Sequence, residues 1–337
     1  MPAEVLAATT LTSIGTPWLW ASTVLILLGL LAVDFVITRR PHEVSMREAV
    51  GWSAFYLALP VAFGIFVWSR YGGTPGVEFF TGYVVEKSLS VDNLFVFMLL
   101  LTAFAVPAHL AQRVLLYGIV GALVLRGVFI AAGAAVLQSG TWAFLLFGAV
   151  LLVTAVKVLR DALRGGQHEI QIDDLRSVRV MRRFMPVTRD YHGSRLTVVL
   201  DGVRTLTPMA LVVAAVFITD VVFAVDSVPA VYGVTEDPYL VFATNAFALL
   251  GLRALYFVLH NALSTLRYLN HGLAIILAFI GVKLVLHWAH GTWPGLPEIP
   301  TPVSLGVILA VLATVIVASL HANRRDAARA AAESPTS

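Results

Sequence analysis

Along the chain, long apolar runs alternate with short polar breaks. They fall at about 18–38, 47–69, 78–105, 112–137, 141–159, 207–233, 239–260, 269–288 and 301–321. Each is long enough to cross ~30 Å of hydrocarbon as a helix, so the pattern predicts nine transmembrane helices. The run at 78–105 differs from the others because charges interrupt it. One polar interval is long, about 160–206, and holds nine Arg and six acidic residues. Its end reads RLTVVLDGVRTLTP, with β-branched stretches flanking Asp201-Gly202, which predicts a hairpin over 195–206. The first 17 residues form a short segment before the first run. The last, 322–337, read ANRRDAARAAAESPTS and are expected to be a frayed, solvated, disordered tail. The fold class expected is an all-α polytopic membrane protein, one transmembrane domain over 18–321.

Composition agrees. Of 337 residues, 58% are hydrophobic and 13% charged, and the mean hydropathy is +0.85. A soluble domain has too little interior to hide that much apolar surface. The same figures exclude a disordered, collagenous or nucleic-acid-binding chain. There is no cysteine, so disulfides, thiolate chemistry and Cys-built metal sites are excluded. The only charge in the first 17 residues is Glu4. A secretory signal needs a basic start, so the first run is expected to be a retained span. With the N-terminus outside, 18 of the 23 Lys and Arg fall in cytoplasmic segments, only Arg70 falls outside, and four lie within spans. That asymmetry predicts an external N-terminus and a cytoplasmic loop 160–206 and C-terminus.

The charges inside the spans repeat. The third span carries EKSLSVDN from Glu86, and the sixth carries DVVFAVDS from Asp220. Each reads acid, five residues, Asp, then a small polar residue. A lone Arg follows in the next span (Arg126, then Arg253), and a Lys in the one after (Lys157, then Lys283). Three spans per unit is an odd number, so the second copy (about 207–288) enters the membrane inverted relative to the first (about 78–159). Inverted repeats build many secondary transporters, with the binding site near the midplane between the copies. A charged residue at a helix centre costs ~2.5–3.5 kcal/mol on insertion scales, so pairing, water or a bound cation must offset these.

At about 100° per residue, positions seven apart share a helix face. Glu86, Ser90 and Asn93 then form one stripe and Asp220 with Ser227 its counterpart, while Asp92 and Asp226 point about 120° away. Pro229 removes a helix hydrogen bond beside Asp226, and a break there is expected to turn Asp226 inward. The candidate ligands are Glu86, Asp92, Asn93, Asp220, Asp226 and Ser227, with Ser90, Asn245, Arg126, Arg253 and Asp34 as accessory positions. An all-oxygen anionic set suits hard cations such as Mg²⁺, Ca²⁺ or Mn²⁺ and repels an oxyanion. Arg126 and Arg253 are expected to balance the acids, Asp34 to sit at the interface, and Lys157 and Lys283 to snorkel to opposite faces. His287 and His290, beside Trp288, read as a headgroup-level belt. No nucleophile-and-base pair or His-rich metal motif points to an enzyme.

The segments EKSLSVDNLFVF, FAVDSVPAV and TNAFALLGLRALYF resemble signature segments of the TerC family, named for tellurium resistance, whose longer members include manganese exporters of the Alx type. The resemblance spans about 18–321. It implies an inner-membrane exporter of divalent metal, above all Mn²⁺, with the acids at Glu86, Asp92, Asp220 and Asp226 as its site and proton exchange as a possible coupling. No prosthetic group is implied; the metal is the transported ligand and the bilayer the other partner. Many relatives carry a glutamate three residues before Asp220, where this chain has Phe217. The alternative reading is a non-transporting membrane component of a metal- or tellurite-stress complex that docks partners through the cytoplasmic loop.

Overall fold

The computed structural model describes residues 13–38, 46–164, 183, 186–188, 190–200, 202–252, 255–256, 267–293 and 295–333, without the side chains of 37–38, 46, 49, 92, 108, 292 and 327–333. The helices are α1 (Pro17–Thr38), α2 (Met46–Tyr71), α3 (Gly73–Ala103), α4 (Ala108–Gln138), α5 (Trp142–Leu163), α6 (Pro208–Tyr232), α7 (Pro238–Leu250), α8 (Leu269–Thr292) and α9 (Thr301–Glu333). Seven of them are long and apolar enough to cross a membrane; α7 is a shorter apolar helix. The charges that set the third run apart in the sequence, Glu78, Glu86, Lys87 and Asp92, all fall on the 31-residue α3. Large apolar side chains cover the outside of the bundle, among them Leu25, Val36, Val153 and Val317, each more than 60% exposed. In water such a surface would aggregate, and in hydrocarbon it is solvated. The protein is an all-α polytopic membrane protein.

Contacts at the helix ends fix the directions. At one end, the Ser13 hydroxyl and Ile14 amide donate to Asp237 ahead of α7. Thr235, just past α6, donates to Glu78 near the start of α3 at 2.7 Å. His287 near the end of α8 packs on Phe144 near the start of α5. Thus α1, α3, α5 and α7 begin where α6 and α8 end, and α3 runs opposite to α6. The largest helix pairing is α5 against α8; α3 packs on α7 as α4 packs on α6, the exchange an internal two-fold would make.

The α5–α8 crossing is close because both helices put glycine there. A Cβ at Gly148 would come 2.9 Å from the Gly281 carbonyl oxygen, and one at Gly281 would come 3.1 Å from the Gly148 carbonyl oxygen. Small residues let membrane helices approach without a hydrophobic drive, and backbone cannot yield as a side chain can. Gly148→Leu is therefore expected to lower stability by about 2–3 kcal/mol. Gly29→Ala, which meets nothing within 4 Å, is expected to leave it unchanged. Thermal unfolding of the purified protein in detergent checks both.

At the other end a two-stranded antiparallel hairpin, β1 (Thr197–Leu200) and β2 (Val203–Leu206), pairs Leu200 with Val203 across a turn where Gly202 has φ 79°. Asp201 lies outside the described residues. The Thr207 hydroxyl donates to the Arg195 carbonyl at 2.6 Å and the Thr207 amide to Leu196. Thr207 precedes Pro208 at the start of α6, so the hairpin holds the entry of the helix that carries Asp220. Arg113 donates to Ser194, and the Tyr191 hydroxyl donates to the Phe104 carbonyl at 2.8 Å. Burial pushes the Tyr191 phenol up to about 12.

Two expectations change. The helix α6 runs unbroken through Pro229 to Tyr232. Pro229 leaves the Val225 carbonyl without its helical donor, but that is one bond, and the helix carries on through it with the Gly233 amide donating to the Pro229 carbonyl at 2.9 Å, so there is no break beside Asp226. The tail at 322–337 is not all unstructured, since α9 continues to Glu333. That stretch is rich in alanine, the best helix former, and Arg267 reaches Asp326 at 3.2 Å. Residues 334–337 lie outside the described residues.

Candidate metal site

Glu86 stands near the middle of α3 and Asp220 near the middle of α6. Both are fully buried. Arg126 of α4, 1% exposed, joins them. Its Nη1 donates to Glu86 Oε1 and to Asn245 Oδ1 of α7 at 2.8 Å, and its Nη2 donates to Asp220 Oδ1 at 3.4 Å. One guanidinium thus ties together α3, α6 and α7 from its own position on α4. The planar fork of arginine suits this better than the point charge of lysine.

The remaining stripe residues surround this junction. Ser90 donates to Glu86 Oε1 at 3.4 Å. In the amide orientation that satisfies both its atoms, Asn93 donates to the Leu89 carbonyl at 3.0 Å and accepts from Arg126 Nη2 at 3.2 Å. Asn245 turns its own amide nitrogen to the Val241 carbonyl at 2.9 Å, which points its oxygen at the arginine. Ser227 is 1% exposed. Asp226 is half-buried, within electrostatic reach of Glu86 and Arg126. The Asp92 side chain and Arg253 lie outside the described residues.

Among the described residues, several oxygens here have no protein partner. Glu86 Oε2, Asp220 Oδ2 and Ser227 Oγ are buried without a hydrogen bond, as is Arg126 Nε. An unmet buried acceptor costs ~1–3 kcal/mol, more when charged, so such a cluster in a membrane core suggests a ligand or water. Among the described residues, no three acidic or imidazole side chains converge closely enough to hold a metal ion. Two carboxylates with a guanidinium between them are what the described arrangement contains.

The structure moves several other positions. Asp34 is 1% exposed and accepts from the Tyr56 hydroxyl at 2.9 Å, so it is a core residue and not an interfacial one. Lys87 turns to the Ala248 carbonyl at 3.3 Å. Phe217 turns away from the acids: it is 36% exposed and its ring crowds Gly121 of α4, where a Cβ would come within 2.7 Å. Lys157 is exposed on α5, while Lys283, at the opposite end of the antiparallel α5–α8 pair, lines a cavity.

That cavity, about 710 Å³, lies at the end where α3 begins, lined by Glu78, Glu236, Asp237, Lys283, His287 and Glu298. His287 sits 2.6 Å from Glu298 and 3.5 Å from Glu236, so it belongs to an acidic vestibule and not to a belt of headgroup contacts. In the sequence these acids stand singly or as the pair Glu236-Asp237 at span boundaries, where a charge is ordinary and does not mark a site. The signal was that Glu78, Glu236, Asp237 and Glu298 all fall at ends assigned to one face. Glu78 precedes Glu86 by eight residues on α3, a rise of about 12 Å.

Comparison with known proteins adds a family. Residues 71–327 match the family described as integral membrane protein TerC family. The chain is 39% identical over 323 residues to an uncharacterised membrane protein, STKORF319, of Myxococcus xanthus, covering 94% of this chain and 98% of that one. It is 38% identical over 324 residues to the putative membrane-bound redox modulator Alx of Escherichia coli K12, covering 93% and 97%. With the uncharacterised membrane protein Rv2723 of Mycobacterium tuberculosis it shares 41% over 323 residues, 93% of this chain and 81% of that one. No solved structure matches it.

Proposed function

This chain belongs to the TerC family of integral membrane proteins, and from that premise we propose that it exports a divalent metal ion, Mn²⁺ first, from the cytoplasm through the acids at the centre of the bundle. The observation that carries the reading is the meeting of Glu86 and Asp220. They come from two helices that run in opposite directions, and each keeps a buried oxygen without a partner among the described residues. Carboxylate, amide and hydroxyl oxygens form a hard donor set, suited to Mn²⁺, Mg²⁺ or Ca²⁺. Asp92 lies six residues after Glu86 and Asp226 six after Asp220 in the same motifs, and the half-buried Asp226 adds negative charge within electrostatic reach of Glu86. The packing of α3 on α7 and of α4 on α6 supports an inverted repeat over about 78–159 and 207–288, whose rocking would expose the acids to each side in turn. The acidic vestibule lies on the face assigned to the outside and would receive the ion. The membrane would be the inner one, with the N-terminus external and the C-terminus cytoplasmic, as the Lys and Arg asymmetry predicts.

The Alx relatives are named redox modulators. In this chain a thiol-based redox role has no residue to carry it, because there is no cysteine. Cells lacking the protein are expected to accumulate Mn²⁺ and cells expressing it to lose the excess, with Asp226→Asn failing to restore the loss. Total cellular manganese by elemental analysis checks this; equal manganese in all three strains counts against export. Purified protein in liposomes separates the docking alternative, since a component that only recruits partners moves no ion there.

A further inference from the structure

We infer that Arg126 is a tethered competitor of the transported ion: in the empty site its guanidinium fills the cation position, and metal binds only as it lets go. This rests on the reading of Glu86 and Asp220 as metal ligands. Arg126 reaches one oxygen of Glu86, one of Asp220 and the amide oxygen of Asn245, the hard donors that an oxygen-loving dication would take. A dication on those atoms would lie within a hydrogen bond's length of the guanidinium nitrogens, with no water between to screen the two positive charges. The two cations therefore exclude each other.

Burial gives the competition a purpose. With the guanidinium in place, one of the two negative charges of Glu86 and Asp220 is neutralised, which lowers the cost of the empty site in a hydrocarbon-like interior. When the dication arrives it neutralises both, and the arginine is released. Glu86 Oε2, Asp220 Oδ2 and Ser227 Oγ, all buried and unpartnered, are the oxygens a larger charge would recruit and a monovalent fork leaves unused. If Arg126 were only a brace between helices, removing it would loosen the ligands and weaken metal binding. As a competitor, its removal tightens binding. The sign of the change separates the two roles.

The test is equilibrium binding of Mn²⁺ to purified full-length protein in detergent. In Arg126→Ala the apparent Kd for Mn²⁺ is expected to fall by about tenfold or more, because the competent state no longer has to be freed from the arginine. Guanidinium ion added at millimolar concentration should fit the void and raise that Kd competitively, while leaving the wild-type Kd unchanged. Adding Glu86→Gln to Arg126→Ala should abolish the gain, which ties it to this site. Should the alanine variant not survive purification, Arg126→Gln serves, since a neutral amide fills part of the space without a competing charge and the same tightening is expected. Binding that is unchanged or weaker in the variant that folds overturns the competitor. Wild-type protein that binds no Mn²⁺ overturns the metal-site reading along with it, whereas wild-type binding without a gain in either Arg126 variant overturns the competitor alone.

Discussion

Glu86→Gln and Asp220→Asn are each expected to reduce Mn²⁺ flux in proteoliposomes by at least about a hundredfold, with the protein still folded and membrane-inserted. A divalent cation that sheds its water must be met by negative charge. A unit charge lost about 4 Å from it is worth on the order of 4 kcal/mol at an effective dielectric near 20, and 1.4 kcal/mol is about tenfold. Both substitutions keep the shape and a hydrogen-bonding oxygen, so Arg126 retains an acceptor and the helices retain their contacts. Gel filtration and circular dichroism confirm the fold, and flux at sub-saturating Mn²⁺ reads the site. Flux within a factor of a few of wild type in both variants would remove these two acids from the path. Glu78→Gln, in the vestibule, is expected to have a smaller effect, because that side chain is partly solvated and shares its cavity with three other acids.

Much of this arrangement is legible from the chain because a membrane interior makes charges conspicuous. Glu86, Arg126 and Asp220 stand in apolar runs, where each is expensive, and their repetition in one order shows that they act together. The span positions follow equally directly, since length and apolarity suffice. Which atoms meet is a different matter. Arg126 pairs with acids of both halves, and no spacing rule connects position 126 to 220. Asn245 stands alone in an apolar run, and its sequence does not say that its oxygen faces Arg126.

The misses have physical causes too. Pro229 signals a helix break in isolation, yet it removes a single bond, to the Val225 carbonyl, and the helix runs on to Tyr232. Asp34 lies near a basic pair in sequence and reads as interfacial, but Tyr56 on the next helix takes it into the core. The tail reads as frayed and solvated, whereas alanine's helix propensity governs its backbone as far as Glu333. Phe217 departs from the family pattern. Because its side chain turns toward Gly121 and lipid, the described acids come together without it.

Arg126→Leu alone is expected to destabilise the protein by about 3–5 kcal/mol in metal-free buffer, because it strands two buried carboxylates. The triple variant Glu86→Gln, Arg126→Leu, Asp220→Asn is expected to recover most of that loss. A neutral, hydrogen-bonded cluster has no charge to desolvate, and replacing a whole buried ionic group is often neutral or favourable. Thermal unfolding in detergent compares the three proteins. Mn²⁺ then separates architecture from function. It should restore much of the stability of Arg126→Leu, since a ligand that binds only the folded form stabilises it, and it should do nothing for the triple variant, which has lost both acids. A triple variant as unstable as Arg126→Leu would mean that the charges themselves hold the helices together. A stable triple variant that moves no ion means that the membrane core keeps these costly charges for the sake of the cation.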